Sequence, residues 1–138
     1  IEVWVGARSQ FTREARLDLI LNPRPSAFEG RLAVLVDSLS VSSAEFMAAG
    51  LQELGRARIF GGLTMGMALP SEVIILPNGD GFQCVTGNYL SPLGHWLEGR
   101  GVIPDVEIAG SGGDVTDGRD EALESAVAWI RDGDNDDR

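Results

Sequence analysis

A turn rich in hydroxyl side chains holds the residues of this sequence that are best suited to chemistry. An apolar run at 32–36 precedes it, a helical pattern follows it, and the turn carries Ser38, Ser40, Ser42 and Ser43. Open α/β sheets bind ligands at the carboxyl ends of their strands, and free N–H groups at a helix N-terminus favour negative charge. A serine in this turn is therefore placed to act as a nucleophile beside an oxyanion site.

The same turn has a purely structural interpretation. Ser42 and Glu45 have the spacing of a capping box, in which the serine hydroxyl accepts from the Glu45 N–H and the glutamate reaches back. Such a cap stabilises a helix by about 0.5–2 kcal/mol and involves no catalysis. Taken alone, the turn favours the cap, and the two interpretations are compatible.

Length and charge limit the classes of protein to consider. The chain has 138 residues, which suits one domain. Its net charge of -10 argues against a nucleic-acid partner, and no apolar run is long enough to span a membrane. Because the sequence starts at Ile1 without Met and already in a strand-like pattern, we expect a piece of a longer protein.

The single cysteine adds little. Cys84 has no second thiol with which to form a disulfide, and it lies in an apolar, strand-like run away from any histidine cluster. We therefore predict neither a metal nor a cofactor.

The coarse pattern is that of a mixed α/β domain. Alternation predicts a hairpin formed by strands at 1–5 and 16–21. A β-α-β unit is predicted next, from the apolar run at 32–36, the helical pattern with Gly55 as its C-cap, and a strand at 58–60. Further along, the sequence predicts a hairpin of 72–76 with 82–86, a strand at 106–108, a helix at 119–131 capped by Asp117 or Asp120, and a disordered acidic tail at 132–138.

Six short motifs occur in an order that resembles a known family. They are SVSSAEF at 40–46, GLQELGRA at 50–57, GGLTMG at 61–66, LPNGD at 76–80, SPLG at 91–94 and EGRGVIPD at 98–105. Together they resemble the catalytic core of the carboxy-terminal processing (tail-specific) serine peptidases and their tricorn-like relatives, over residues 31–108. The resemblance implies a crotonase-like α/β core of ββα units, with residues 1–131 as the nucleophile-bearing part of a catalytic domain. It also implies a peptide or unfolded protein as substrate, and family members are often exported to the periplasm or cell envelope.

The resemblance assigns roles within the serine turn. The family's nucleophile corresponds to Ser42, and the N–H of the following residue, Ser43, helps to bind the oxyanion. The physical requirement agrees, because the first turn of a helix offers free N–H donors. Ser40, two residues earlier, lacks this position.

The sequence departs from the family at the general base. Processing peptidases of the common type carry a lysine in a Thr-x-Gly-Lys-Gly loop, whereas this chain has Met67 at the lysine position. A thioether cannot accept a proton from serine, so this alignment excludes a Ser–Lys dyad. We interpret Met65 and Met67 as adaptable apolar side chains beside a groove.

Two other sources of a base remain. In the tricorn-like branch an upstream histidine is the base and a glutamate completes the relay, and Glu98 occupies the glutamate position here. His95, the only histidine, is the other candidate, although a surface turn is its simpler interpretation. Glu53 is expected to support the fold.

The resemblance thus implies a serine endopeptidase core whose base lies upstream, so residues 1–138 alone are expected to be inactive. A non-catalytic peptide- or apolar-ligand-binding module of the same fold is the first alternative. The second is an acyl-handling enzyme in which Ser42 is only a cap.

Overall fold

The computed structural model describes residues 7–11, 15–19, 25–108 and 119–136. The elements in this part of the chain are β1 (Ala7–Phe11), β2 (Ala15–Leu19), β3 (Ala33–Val36), α1 (Ser43–Glu53), β4 (Arg58–Gly61), β5 (Ser71–Ile75), β6 (Gly81–Val85), β7 (Tyr89–Leu90), β8 (Val106–Glu107) and α2 (Glu121–Asp136).

A parallel sheet with helices on both faces positions the serine turn. Its strand order is β3-β4-β8, and β3, α1 and β4 form the predicted β-α-β unit with parallel strands. In β4, Ile59 packs in a buried cluster with Ala48 and Ala49 of α1, whereas the next residue, Phe60, lies 5.7 Å from Trp129 of α2 between ring centroids. Because successive side chains of a strand point to opposite faces, the two helices cover opposite faces of the sheet. This confirms the mixed α/β class.

Helix α1 ends at the predicted glycine, although the C-cap is the residue before it rather than Gly55 itself. Leu54 is the C-cap, and Gly55 follows it with φ of +66°. Residues with a side chain rarely adopt this left-handed conformation, so a glycine here ends the helix cleanly.

The N-terminal hairpin differs from the prediction in its first strand. Residues 1–5 lie outside the described part of the chain, and the strand that pairs with β2 is β1, in a segment that we expected to be a polar connection. Its register pairs Arg8 with Asp18, and β7 joins the other edge of β1. The prediction was wrong here because pairing on both edges stabilises a strand whose composition shows no apolar alternation.

The second hairpin is confirmed. Strands β5 and β6 are antiparallel, with Ile74 opposite Phe82. The turn between them places Gly79 at φ +90°, as the Asn-Gly-Asp-Gly sequence requires. The hairpin is exposed on both of its faces.

Helix α2 is longer than predicted. Asp120 caps it by accepting the Leu123 N–H at 2.9 Å, but the helix continues to Asp136. Residues 132–136, expected to be a disordered tail, are thus helical. The guanidinium of Arg31 packs on this part of the helix, since it donates to the Trp129 carbonyl oxygen at 3.0 Å and lies against Gly133.

Neither of these two helices combines the length and the apolar character needed to cross a membrane, within the residues that the structure covers.

Candidate functional site

Ser42 has a strained backbone at the start of α1. Its φ of 56° and ψ of -121° make it the only non-glycine residue with positive φ in the described ranges. Such a conformation costs about 1–3 kcal/mol and persists only where the surroundings enforce it, typically at functional sites. Here the Ser42 N–H is held by the Met67 carbonyl oxygen at 2.9 Å and by Oε2 of Glu45 at 3.0 Å.

The predicted cap is present in a modified form. Ser42 and Glu45 face each other with the reciprocal arrangement of a capping box, yet the serine side chain makes no capping hydrogen bond. The Glu45 N–H instead donates to the main-chain carbonyl oxygen of Ser42 at 2.9 Å. The hydroxyl of Ser42, an exposed residue, is therefore not committed to the helix.

A buried carboxylate organises the residues around Ser42. Glu45 has 0% exposure, and its two oxygens accept from the Thr64 hydroxyl at 2.5 Å and from three main-chain N–H groups, those of Ser42, Gly66 and Met67. Four donors satisfy the charge that burial would otherwise make costly. The sequence predicted Glu45 only as a capping partner, and this wider role was missed. The sequence feature that could have indicated this role is the glutamate three residues after Ser42.

The N–H of Ser43 is the unpaired donor of the first helical turn. The N–H groups of Ala44, Glu45 and Phe46 donate to main-chain carbonyl oxygens of the turn, and that of Ser42 is bonded as described above. The Ser43 N–H donates to no acceptor within the described residues. An unpaired helix N-terminal donor next to Ser42 is suited to bind an oxyanion.

The segment 62–68 runs along the serine turn and brings residue 67 beside Ser42. On one edge the Met65 N–H donates to the Ser40 carbonyl oxygen at 3.2 Å, next to the Ser42–Met67 bond. On the other edge the Gly66 carbonyl oxygen accepts the Gly99 N–H at 2.8 Å. The position that carries lysine in the common type of the family is thus adjacent to Ser42, and its methionine side chain is 59% exposed.

Glu98 binds the segment that contacts Ser42. Its Oε2 accepts the N–H of Ala68, the residue after Met67, at 2.6 Å. Its Oε1 has no hydrogen-bond partner among the described residues. One carboxylate oxygen is thus fixed, and the other is available to a further donor.

His95 lies at the opposite end of α1. Its Nδ1 is 2.9 Å from Oε1 of Glu53, and ten residues of helix, about 15 Å, separate Glu53 from the Ser42 end. Partial burial raises the pKa of Glu53, but hydrogen bonds from the Leu93 N–H, the Ser91 side chain and His95 outweigh this effect and lower it. His95 is therefore placed to hold a turn rather than to take a proton from Ser42.

The described residues contain no group of three or more His, Cys, Asp or Glu side chains that could hold a metal ion. Cys84 is half-buried in β6 and carries a free thiol.

Comparisons with known proteins agree on one family. The sequence model of peptidase family S41 matches residues 4–108. A carboxyl-terminal-processing protease from Picosynechococcus sp. is 36% identical over 77 residues, which are 56% of this chain and 19% of that protein. This chain thus spans about a fifth of the length of that curated relative.

Solved structures give the same result. The photosystem II D1 C-terminal processing protease aligns with 33% identity and a TM-score of 0.52, over 56% of this chain and 20% of that one. A putative peptidase from Parabacteroides merdae covers 93% of this chain, and 42% of its own length is matched, with a TM-score of 0.73. At 20% identity, this second likeness shows the fold alone.

Proposed function

Because this chain belongs to peptidase family S41, we propose that it is the nucleophile-bearing part of a serine endopeptidase that cleaves peptides or unfolded proteins. The proposal depends mainly on one observation, the strained main chain that presents the uncommitted Ser42 hydroxyl beside the unpaired Ser43 N–H. We also propose a crotonase-like core, which the β3–α1–β4 unit supports.

The reaction follows from this arrangement. The Ser42 oxygen attacks the peptide carbonyl carbon while a base takes the hydroxyl proton, and the Ser43 N–H donates to the oxyanion that forms. The base then returns the proton to the leaving amine, and water hydrolyses the acyl ester in a second cycle of the same steps.

The general base in this proposal comes from outside these 138 residues. All 11 basic residues of the chain are arginines, which do not deprotonate in proteins, and the single histidine is bonded to Glu53 at the far end of α1. An upstream histidine, as in the tricorn-like branch, would fill this role. Glu98, with Oε1 available, would accept its Nδ1–H and hold the ring in the required tautomer.

A fluorophosphonate probe tests the nucleophile in the full-length protein. We expect covalent labelling that Ser42→Ala abolishes. The matched control Ser40→Ala removes a hydroxyl two residues away and should leave labelling unchanged. Labelling that survives Ser42→Ala would contradict the proposal.

Glu98→Gln tests the relay. If Glu98 orients a histidine, this variant should lower kcat by about two to four orders of magnitude with little change in KM, as when a triad carboxylate becomes an amide. Glu72→Gln, which alters an exposed carboxylate of β5, is the control. A change confined to KM would show that Glu98 binds substrate rather than orienting a base.

Met67 favours a second candidate, a non-catalytic peptide- or apolar-ligand-binding module. Peptidases of the common type carry their basic lysine at this position. Replacement of that lysine by methionine is expected in a protein that has lost catalysis. The two candidates differ in the labelling experiment, because a module binds peptide without reacting with the probe.

For either candidate we expect residues 1–138 alone to hydrolyse no peptide. Hydrolysis by this piece that disappears in His95→Ala would identify His95 as the base.

A further inference from the structure

Three apolar side chains line one face of the segment beside Ser42. Residues 62–68 alternate in exposure along the segment, with Thr64, Gly66 and Ala68 buried. The alternate residues Leu63, Met65 and Met67 are exposed by 50%, 46% and 59%. We refer to these three exposed residues as the apolar strip.

The two segments that form this surface carry no charged side chain, and the carboxylates of Glu45 and Glu98 that reach residues 62–68 bind main-chain N–H groups and the Thr64 hydroxyl. Residues 61–70 and 38–44 contain no acidic or basic side chain. Leu39 and Val41, in the serine turn, are exposed by 70% and 38% and extend the apolar surface. An exposed apolar patch of this kind marks an interaction site.

The strip has a fixed order relative to the nucleophile. The Met67 carbonyl oxygen accepts the Ser42 N–H, and the Met65 N–H donates to the Ser40 carbonyl oxygen. Leu63 follows next, towards the end of β4. Distance from Ser42 thus increases from residue 67 to residue 63.

We propose that Met67, Met65 and Leu63 are specificity-determining residues that receive apolar side chains at alternate positions of an extended peptide, with Met67 contacting the residue nearest the scissile bond. This inference rests on the proposed function of Ser42. Alternate side chains of an extended peptide share one face, and the residues of the strip likewise present alternate side chains to one exposed surface.

The chemistry of the strip selects against polar peptides. Methionine adapts its shape to different apolar partners. A polar side chain buried against the strip would lose hydration, and the strip offers it no hydrogen-bonding partner in exchange.

Peptide binding tests the proposal without requiring catalysis. The full-length Ser42→Ala protein is titrated, by fluorescence anisotropy, into two labelled Ser/Gly peptides that carry either leucine or asparagine at three alternate positions. We expect the leucine peptide to bind about tenfold more tightly. Adding Met67→Gln should weaken leucine-peptide binding about tenfold and leave asparagine-peptide binding within about twofold.

Two matched variants serve as controls. Met67→Leu keeps an apolar side chain and should retain leucine-peptide affinity within about twofold. Ile75→Gln makes a comparable change at a residue of β5 that is 69% exposed, and it should have no effect.

The outcomes separate this inference from the proposed function. Equal binding of the two peptides, binding of neither, or equal weakening by Met67→Gln and Ile75→Gln would overturn the specificity role. Failure of the fluorophosphonate probe to label Ser42 would instead overturn the peptidase proposal, and the anisotropy result would still decide the role of the strip.

Discussion

Ser42 combines an exposed hydroxyl with a backbone conformation that its own side chain disfavours. Its φ of 56° is maintained by bonds to Met67 and Glu45. The serine is thus fixed in place at some cost to the free energy of folding. Such a relation between stability and function is expected if Ser42 has the role proposed above.

We expect Ser42→Gly to stabilise the protein by about 1 kcal/mol, because glycine adopts this conformation without strain and the relief exceeds its entropic cost. Ser42→Ala should be close to neutral, and not 0.5–2 kcal/mol destabilising as a lost cap would be, since the hydroxyl makes no capping bond. Urea unfolding measures both changes, with Ser38→Gly in the same turn as control. A Ser42→Gly protein less stable than Ser42→Ala would refute this account.

Glu45→Gln should destabilise the protein by about 2–4 kcal/mol, because either orientation of the amide turns its NH₂ group toward a main-chain N–H, of Gly66 or of Met67, that then loses its acceptor. Urea unfolding measures the loss. Glu124→Gln, at a surface carboxylate, should stay within about 0.5 kcal/mol. Similar effects of the two substitutions would show that the buried network contributes little.

At the scale of elements, α1 is fastened near both ends by carboxylates. Glu45 binds the segment that carries Met67, and Glu53 binds the 91–95 turn through the Leu93 N–H at 2.8 Å and His95. The helix therefore fixes two loops that are distant in sequence.

Removing the Glu53 carboxylate should make the free energy of unfolding depend less on pH in the acidic range. Its pKa in the folded state lies below the ordinary value of 4.5, so its stabilising contribution is complete above pH 4.5 and is lost as pH falls through the folded-state pKa. We therefore expect Glu53→Gln to be less stable than the unmodified protein at pH 7 and the difference to shrink below pH 4.5. Unfolding curves from pH 3 to 7 test this, with Glu72→Gln as the baseline for removing one exposed carboxylate. A difference that grows in acid would contradict it.

The elements predicted correctly were those with strong local signals. The apolar run of β3, the glycine after α1 and the Asn-Gly-Asp-Gly turn each define a structure within a few residues. Strand β1 could not be predicted because its stability comes from neighbours on both edges. The extra turns of α2 were missed for a similar reason, since Arg31 is about 100 residues away.

Local signals explain the candidate site to a similar extent. The motif order placed Met67 beside Ser42, and the structure brings these residues together. The positive φ of Ser42 and the four donors to Glu45 depend on the packing of the 62–68 segment. No pattern within the serine turn records that packing.

At the scale of the whole molecule, α2 closes the face of the sheet opposite α1. Trp129 contacts Phe60 there, and the guanidinium groups of Arg31 and Arg58 lie 5.1 and 5.7 Å from its ring centroid. One aromatic residue thus joins the helix, the sheet and two of the chain's few cations.

Trp129→Ala should destabilise the protein by about 3 kcal/mol, through lost aromatic packing and lost cation–π contacts. Thermal unfolding followed by circular dichroism measures the change. Leu123→Ala, at a half-exposed residue of the same helix, controls for helix propensity and should cost much less. Equal losses would mean that α2 packs without depending on Trp129.

The segment beside Ser42 is held almost entirely by its backbone. Its bonds to Ser40, Ser42 and Glu45 come from N–H and carbonyl groups at positions 65–67 and from the Thr64 hydroxyl. The side chains of the apolar strip take no part in these bonds. Substitution at 63, 65 or 67 can therefore change the chemistry of the surface beside Ser42 while Ser42 itself stays in place. Such separation leaves the exposed surface free to vary on an unchanged scaffold.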